Sequence, residues 1–165
     1  MNCGHCCERI VVKQLDISVG LCLLPGEKKL FKAFPDAVAP YIGLWKPGRN
    51  RIKIVCHQML RAPCPLYDPV TRTCTQYEKR PVSCIAYPFS PMHDGYSVEA
   101  TCTWAKRESI EFGITSIHAG AEQDVAVAKL DSFFAGLSQR MRRSGWTVLV
   151  MFDVNSMSWV EIFKK

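Results

Sequence analysis

The chain has 165 residues, 48% hydrophobic and 22% charged, a balance that suits one globular domain and excludes a disordered chain. Its formal charge is +6, mildly basic, and no run of about 18 apolar residues is present, which excludes a membrane-spanning helix. Nine cysteines in a chain of this size are the one number out of line.

The opening segment, MNCGHCCERI, lacks the apolar stretch of a secretory signal, so the expectation is a cytoplasmic protein in a reducing compartment. There, clustered cysteines point to metal or redox chemistry rather than to a disulfide scaffold. The odd cysteine count and the adjacency of Cys6 and Cys7 argue the same way.

LDISVGLCLLP is apolar enough for a buried strand or turn, closed by Pro25 and Gly26. A short helix is predicted over residues 27–34, with Leu30, Phe31 and Phe34 on one face and Pro35 ending it. Residues 51–59 alternate as a strand, Ile52, Ile54 and Cys56 on one side and Lys53, Val55 and His57 on the other. Six of the ten prolines fall between Pro63 and Pro91. That stretch cannot form a long helix or a central strand, so something other than backbone ladders must hold it. A short strand is expected over 96–104.

Val127, Leu130, Phe134, Leu137 and Met141 recur at steps of three and four, the pattern of an amphipathic helix. Glu122 and Asp124 at its start, Arg140, Arg142 and Arg143 at its end and Gly145 beyond complement the helix dipole and its caps. Residues 146–154, WTVLVMFDV, read as a strand buried on both faces. The fold class is α+β: a single loop-rich domain over 1–165, with a cysteine-cluster region (1–104) and a C-terminal helix-and-strand unit (105–165).

Cys3, Cys6 and Cys7 form C-x2-C-C, a spacing that lets thiolates converge from a tight turn, with Gly4 giving the backbone room. Cys64, Cys74 and Cys84 follow at intervals of ten, and Cys102 eighteen later. The prolines between them restrict the loops and lower the entropy lost when thiolates are gathered. A structural metal contributes on the order of 10–16 kcal/mol in small zinc modules, enough to hold such loops. The two groups are therefore expected to converge on one centre.

These residues resemble the cysteine-cluster proteins of the YkgJ type, a family of zinc- or iron-chelating domains named for CxxCxxCC. The likeness spans about 3–102 and falls on Cys64, Asp68, Cys74, Tyr77, Glu78, Arg80, Pro81, Cys84, Tyr87 and Pro88. Gln76 stands where the family pattern has isoleucine. The family's first cysteine has no counterpart after Met1. One ligand is then dispensable, or Cys56, His5 or His57 replaces it, or the chain starts further upstream.

The resemblance implies iron or zinc. One related group, the flagellin lysine methylases, is regarded as carrying an iron–sulfur cluster, which brings in a redox or protein-modification role and a protein partner or electron donor. An all-thiolate set suits four-cysteine zinc and [4Fe–4S] alike. Seven candidates (Cys3, Cys6, Cys7, Cys64, Cys74, Cys84 and Cys102) and the lack of paired zinc knuckles favour the iron–sulfur cluster, with a structural zinc module as the alternative. Four thiolates leave either centre near −2, and Arg80 is the expected cofactor-binding cation.

The remaining candidates have plainer readings. Cys22 suits a buried thiol, Glu78 and Arg80 a loop-fixing ion pair, and Tyr77 and Tyr87 a shield against solvent. Lys46, Arg49, Arg51, Lys53 and Arg61, with Tyr41 and Trp45, form an acid-free stretch that could meet nucleic acid, although a solvated basic face is the commoner explanation. Dinucleotide, Walker, zincin, hydrolase-elbow, radical-SAM and ferredoxin motifs are absent.

Overall fold

The computed structural model describes residues 4–8, 10–14, 16–92, 95–99, 102–107, 121–144 and 148–162. A one-turn helix α1 (His5–Glu8) leads into a small hairpin of β1 (Val12–Gln14) and β2 (Ile17–Val19), with Asp16 in the left-handed region at its turn. β3 (Leu21–Leu23) follows directly, so the apolar run 15–25 becomes two short strands. The helix expected over 27–34 is a 3-10 turn, Glu27–Phe31. Pro35 opens a second 3-10 turn, Pro35–Ala37, its fixed φ suiting a first helical position.

The central hairpin comprises β4 (Val38–Trp45) and β5 (Ile52–Met59). Sequence pattern does not single out β4, because VAPYIGLW carries both a proline and a glycine. The register shifts between Pro40 and Ile42, and again between Ile42 and Gly43, an irregularity that accommodates a proline inside a central strand.

The segment 63–91 has short elements alone, as its prolines require. A two-residue ladder joins β6 (Tyr67–Asp68) to β7 (Thr73–Cys74), a 3-10 turn covers Tyr77–Lys79, and α2 spans Val82–Ala86. The peptides Ala62–Pro63 and Tyr87–Pro88 are cis. β8 (Phe89–Met92) and β9 (Gly95–Val98) form a further hairpin. The strand expected over 96–104 stops at Val98, and Thr103–Arg107 is helical (α3); the Cys102 N–H donates to the Glu99 carbonyl.

The amphipathic helix is α4 (Ala121–Ser144), with Val127, Leu130 and Leu137 buried. The predicted apolar strand is β10 (Val148–Asp153), whose neighbouring residues Val150 and Met151 are both buried, one toward each face. A final strand not expected from the sequence, β11 (Ser158–Glu161), pairs with it.

The main sheet is antiparallel in the order β11-β10-β4-β5-β3, so the C-terminal unit supplies strands to the same sheet as the cysteine-cluster region. α4 joins two parts of the core. Its first half packs Ala126, Val127 and Leu130 on Val82, Ala86 and Phe89, and its second half sets Leu137 against Tyr41, Ile42, Cys56 and Met151. Gln58, fully buried, pins the sheet: it accepts from the Gly20 N–H and donates to the carbonyls of Pro40 and Phe152. No helix among the described residues is long and apolar enough to cross a membrane.

Candidate metal centre

Six cysteines from both groups line one cavity of about 370 Å³: Cys6, Cys7, Cys64, Cys74, Cys84 and Cys102. They arrive on several local devices. Gly4, at φ +68°, turns the N-terminal segment, and Cys6 and Cys7 follow on α1. A Cβ at Gly4 would collide with the Tyr67 ring, so glycine is needed for space as well as for conformation. The Cys64 N–H donates to the Cys7 carbonyl at 2.7 Å, which ties the N-terminal group to the central one. Tyr67 reinforces the junction, its hydroxyl donating to Glu8.

Asp68 builds the turn before Cys74. Its carboxylate accepts from the Val70 N–H at 2.9 Å and from the Thr71 hydroxyl at 2.7 Å, and these bonds, the hydroxyl first, hold its pKa below the usual value. Cys84 sits on α2, whose start is fixed by Glu27: one carboxylate oxygen accepts from the Val82 N–H, the other from the Leu24 N–H. Cys102, 3% exposed, precedes α3. Cys3 lies outside the described residues, as do His93 and His118.

The sulfurs of Cys6 and Cys7 are 4.0 Å apart. The Cys7 thiol shares its proton with Cys6, and this lowers Cys6 to about 7, with the Arg80 charge adding to the effect. Cys7 is raised correspondingly. Burial raises Cys64 and Cys84, and the surrounding sulfurs add to it. All eight described cysteines are free. Among the described residues no three Cys, His, Asp or Glu side chains are grouped as a single metal ion requires.

Arg80 lies on the wall of this cavity, its side chain 15% exposed. The guanidinium stacks on Tyr77, 3.9 Å from the ring centroid, and Nη2 donates to Glu122 at 3.1 Å. The expected Glu78–Arg80 pair therefore gives way to a pair with the first turn of α4, and Glu78 points to solvent. Buried Nε has no acceptor among the described residues. Such orphaned donors are rare in folded proteins and call for an explanation. Tyr77 and Tyr87 both line the cavity, Tyr77 half-exposed at its edge.

Comparison with protein families, with curated proteins and with solved structures finds no match to this chain. The donor set itself must be weighed. It is all sulfur, drawn from distant parts of the chain, with Arg80 on the wall of the cavity. These features fit a thiolate-held inorganic centre of net negative charge.

The proposed substitutes for the missing first cysteine are placed elsewhere. Cys56 is fully buried in the sheet core beside Cys22 and Tyr41; contact with Cys56 and burial raise the Cys22 thiol. His57 lies off the cavity against Lys28, and partial burial, then the Lys28 charge, lower its pKa. The side chain of His5 is outside the described residues. Three contributors escape sequence reading: Tyr67, Glu122 and Glu27. Of these only Glu27 carries a local signal, an acid opening a short helical turn after Pro25-Gly26.

Proposed function

We propose that the chain is a metal-cluster protein of the YkgJ type, its centre an iron–sulfur cluster held by thiolates drawn from Cys6, Cys7, Cys64, Cys74, Cys84 and Cys102, with Cys3 available from the N-terminal segment. It serves a redox or protein-modification accessory role in a reducing, cytoplasmic setting, with a protein partner or electron donor. The observation that carries this reading is the single cavity lined by six thiols from two distant parts of the chain.

The lack of paired C-x2-C knuckles supports a cluster over one zinc ion. An iron–sulfur cluster supplies one-electron redox chemistry when bound. The chain's residues orient and shield. Arg80 offsets negative charge, Tyr67, Tyr77 and Tyr87 limit water, and Asp68 and Glu27 fix the ligand-bearing turns.

The deciding measurement is iron, acid-labile sulfide and zinc content of anaerobically purified protein, with its visible spectrum before and after dithionite. About four irons and four sulfides per chain, with a dithionite-bleached absorbance, are expected. Colourless protein with stoichiometric zinc would replace this reading with the structural zinc module. Metal-free protein that stays folded would overturn both.

A further inference from the structure

The main sheet has a second face, turned away from α4. The register shifts between Pro40, Ile42 and Gly43 break the strict alternation, so Tyr41, Ile42 and Cys56 face the helix while Ile52 and Ile54, expected on the side of Cys56, border the second face with Trp45, and Trp159 joins them from β11. Together they border a depression of about 400 Å³, with Arg51 at its rim. Gly43 is the reason Trp159 lies against the strand. A Cβ there would meet the indole at about 2.9 Å, and Phe152 braces the ring edge-on at 5.4 Å between centroids. Trp45 is held by its indole N–H, which donates to the Arg49 carbonyl at 3.0 Å. Ile54 is 44% exposed, an unusual position for an apolar side chain in a central strand.

Around this depression the hairpin residues Lys46, Arg49, Arg51 and Lys53 are all exposed, and none is ion-paired among the described residues. No acid lies between Asp36 and Asp68, and among the described residues of β11 Glu161 is the one exposed acid. The acid-free stretch therefore divides. Tyr41 is buried toward α4 and Arg61 pairs with Asp36, whereas the hairpin cations stay free beside two fixed indoles.

We infer that this face binds single-stranded nucleic acid, with bases stacking on Trp45 and Trp159 and the backbone tracking Lys46, Arg49, Arg51 and Lys53. Free base faces are what an indole platform recognises, and a duplex hides them. Positive charge without apolar rings would bind any polyanion, and rings without charge would bind any apolar chain; the combination selects an anionic polymer with flat, unstacked rings. The site is independent of the thiol cavity. Met59, at the far end of β5, lines that cavity, about 23 Å along the strand from Ile52 at 3.3 Å per residue.

The test uses the full-length protein as purified and fluorescein-labelled oligo-dT and oligo-U, read by polarisation and by tryptophan quenching. Binding is expected to weaken about 50-fold between 50 and 200 mM salt if four phosphates are contacted, at a slope of about −0.7 per contact. Trp45→Leu should weaken it about tenfold and reduce the quench. Ile54→Glu, at an exposed position, should do likewise without cost to folding, and joint replacement of Arg49, Arg51 and Lys53 by alanine should flatten the salt slope. No binding at 50 mM salt overturns the inference. So does equal affinity for heparin, for a blunt duplex or for an acidic peptide, or an unchanged affinity in Ile54→Glu.

Discussion

Single side chains in this protein act chiefly by satisfying backbone groups far away in sequence. Gln58 uses both ends of its amide to close three backbone groups on Gly20, Pro40 and Phe152. Gln58→Leu keeps the volume and leaves those groups buried and unpaired. At about 1–3 kcal/mol for each, a loss of about 3 kcal/mol or more is expected in urea unfolding. Asp153 is a second such residue, with a titratable signature. Its carboxylate accepts from the Asn155 N–H, the Ser156 hydroxyl and the Ser18 N–H, and the Asn155 bond contributes most to holding its pKa below the usual value. A depressed folded pKa means the unfolded chain takes up its proton first on acidification. The contribution is therefore complete above about pH 4 and fades as pH falls through the folded value. Thermal melts should show Asp153→Ala below the parent at pH 7, with the gap narrowing toward pH 2. Neither role is visible in the sequence, because each partner set spans more than a hundred residues.

At the scale of elements, what the chain discloses depends on length. The 3.6-residue period of α4 is repeated often enough over Ala121–Ser144 to be read directly, and the VLVMFD run of β10 is unbroken. β11 has four residues, and α3 has five that carry no period, so neither can be told from a loop. β4 hides behind Pro40 and Gly43, which sequence rules assign to edges or turns; its register shift and the Trp159 ring absorb both. The thiol-bearing loops are legible in kind, since prolines and spaced cysteines announce a region held from outside its own backbone. Their anchors are not, because Glu27 reaches Val82 and Tyr67 reaches Gly4. That second contact yields a sharp test. Gly4→Ala should lower metal content while leaving the main sheet's melting intact, because both a positive φ and the Tyr67 ring oppose a methyl group. Adding Tyr67→Ala should restore part of the loading; a double variant as poor as the single one would mean that backbone conformation alone sets the loss.

For the whole molecule, the proposed centre and the sheet carry separate shares of stability. The described core runs through α4, α2 and the five-stranded sheet; of the cavity cysteines Cys64 and Cys102 are buried in it, and Cys7 and Cys74 pack against its edge. Stripping the centre should therefore loosen residues 63–88 first. Hydrogen exchange of the chelated protein is expected to quicken there and at α1, while β4, β5 and β10 stay protected. Uniform loss of protection would mean that the sheet, too, depends on the centre. Removal should also be easier in acid, since thiols raised by burial regain their protons at the metal's expense.

The hydrogen bond from Cys64 to Cys7 has a bearing on how the protein is made. Cys6 and Cys7 are translated before the central loops, and Cys102 follows 95 residues after Cys7. At 5–20 residues per second that interval is roughly 5–20 s. For that time the first thiols are open to stray metals and oxidants, so assembly of the proposed centre belongs after release of the central loops, and any factor that delivers it must meet a chain already translated past Cys102.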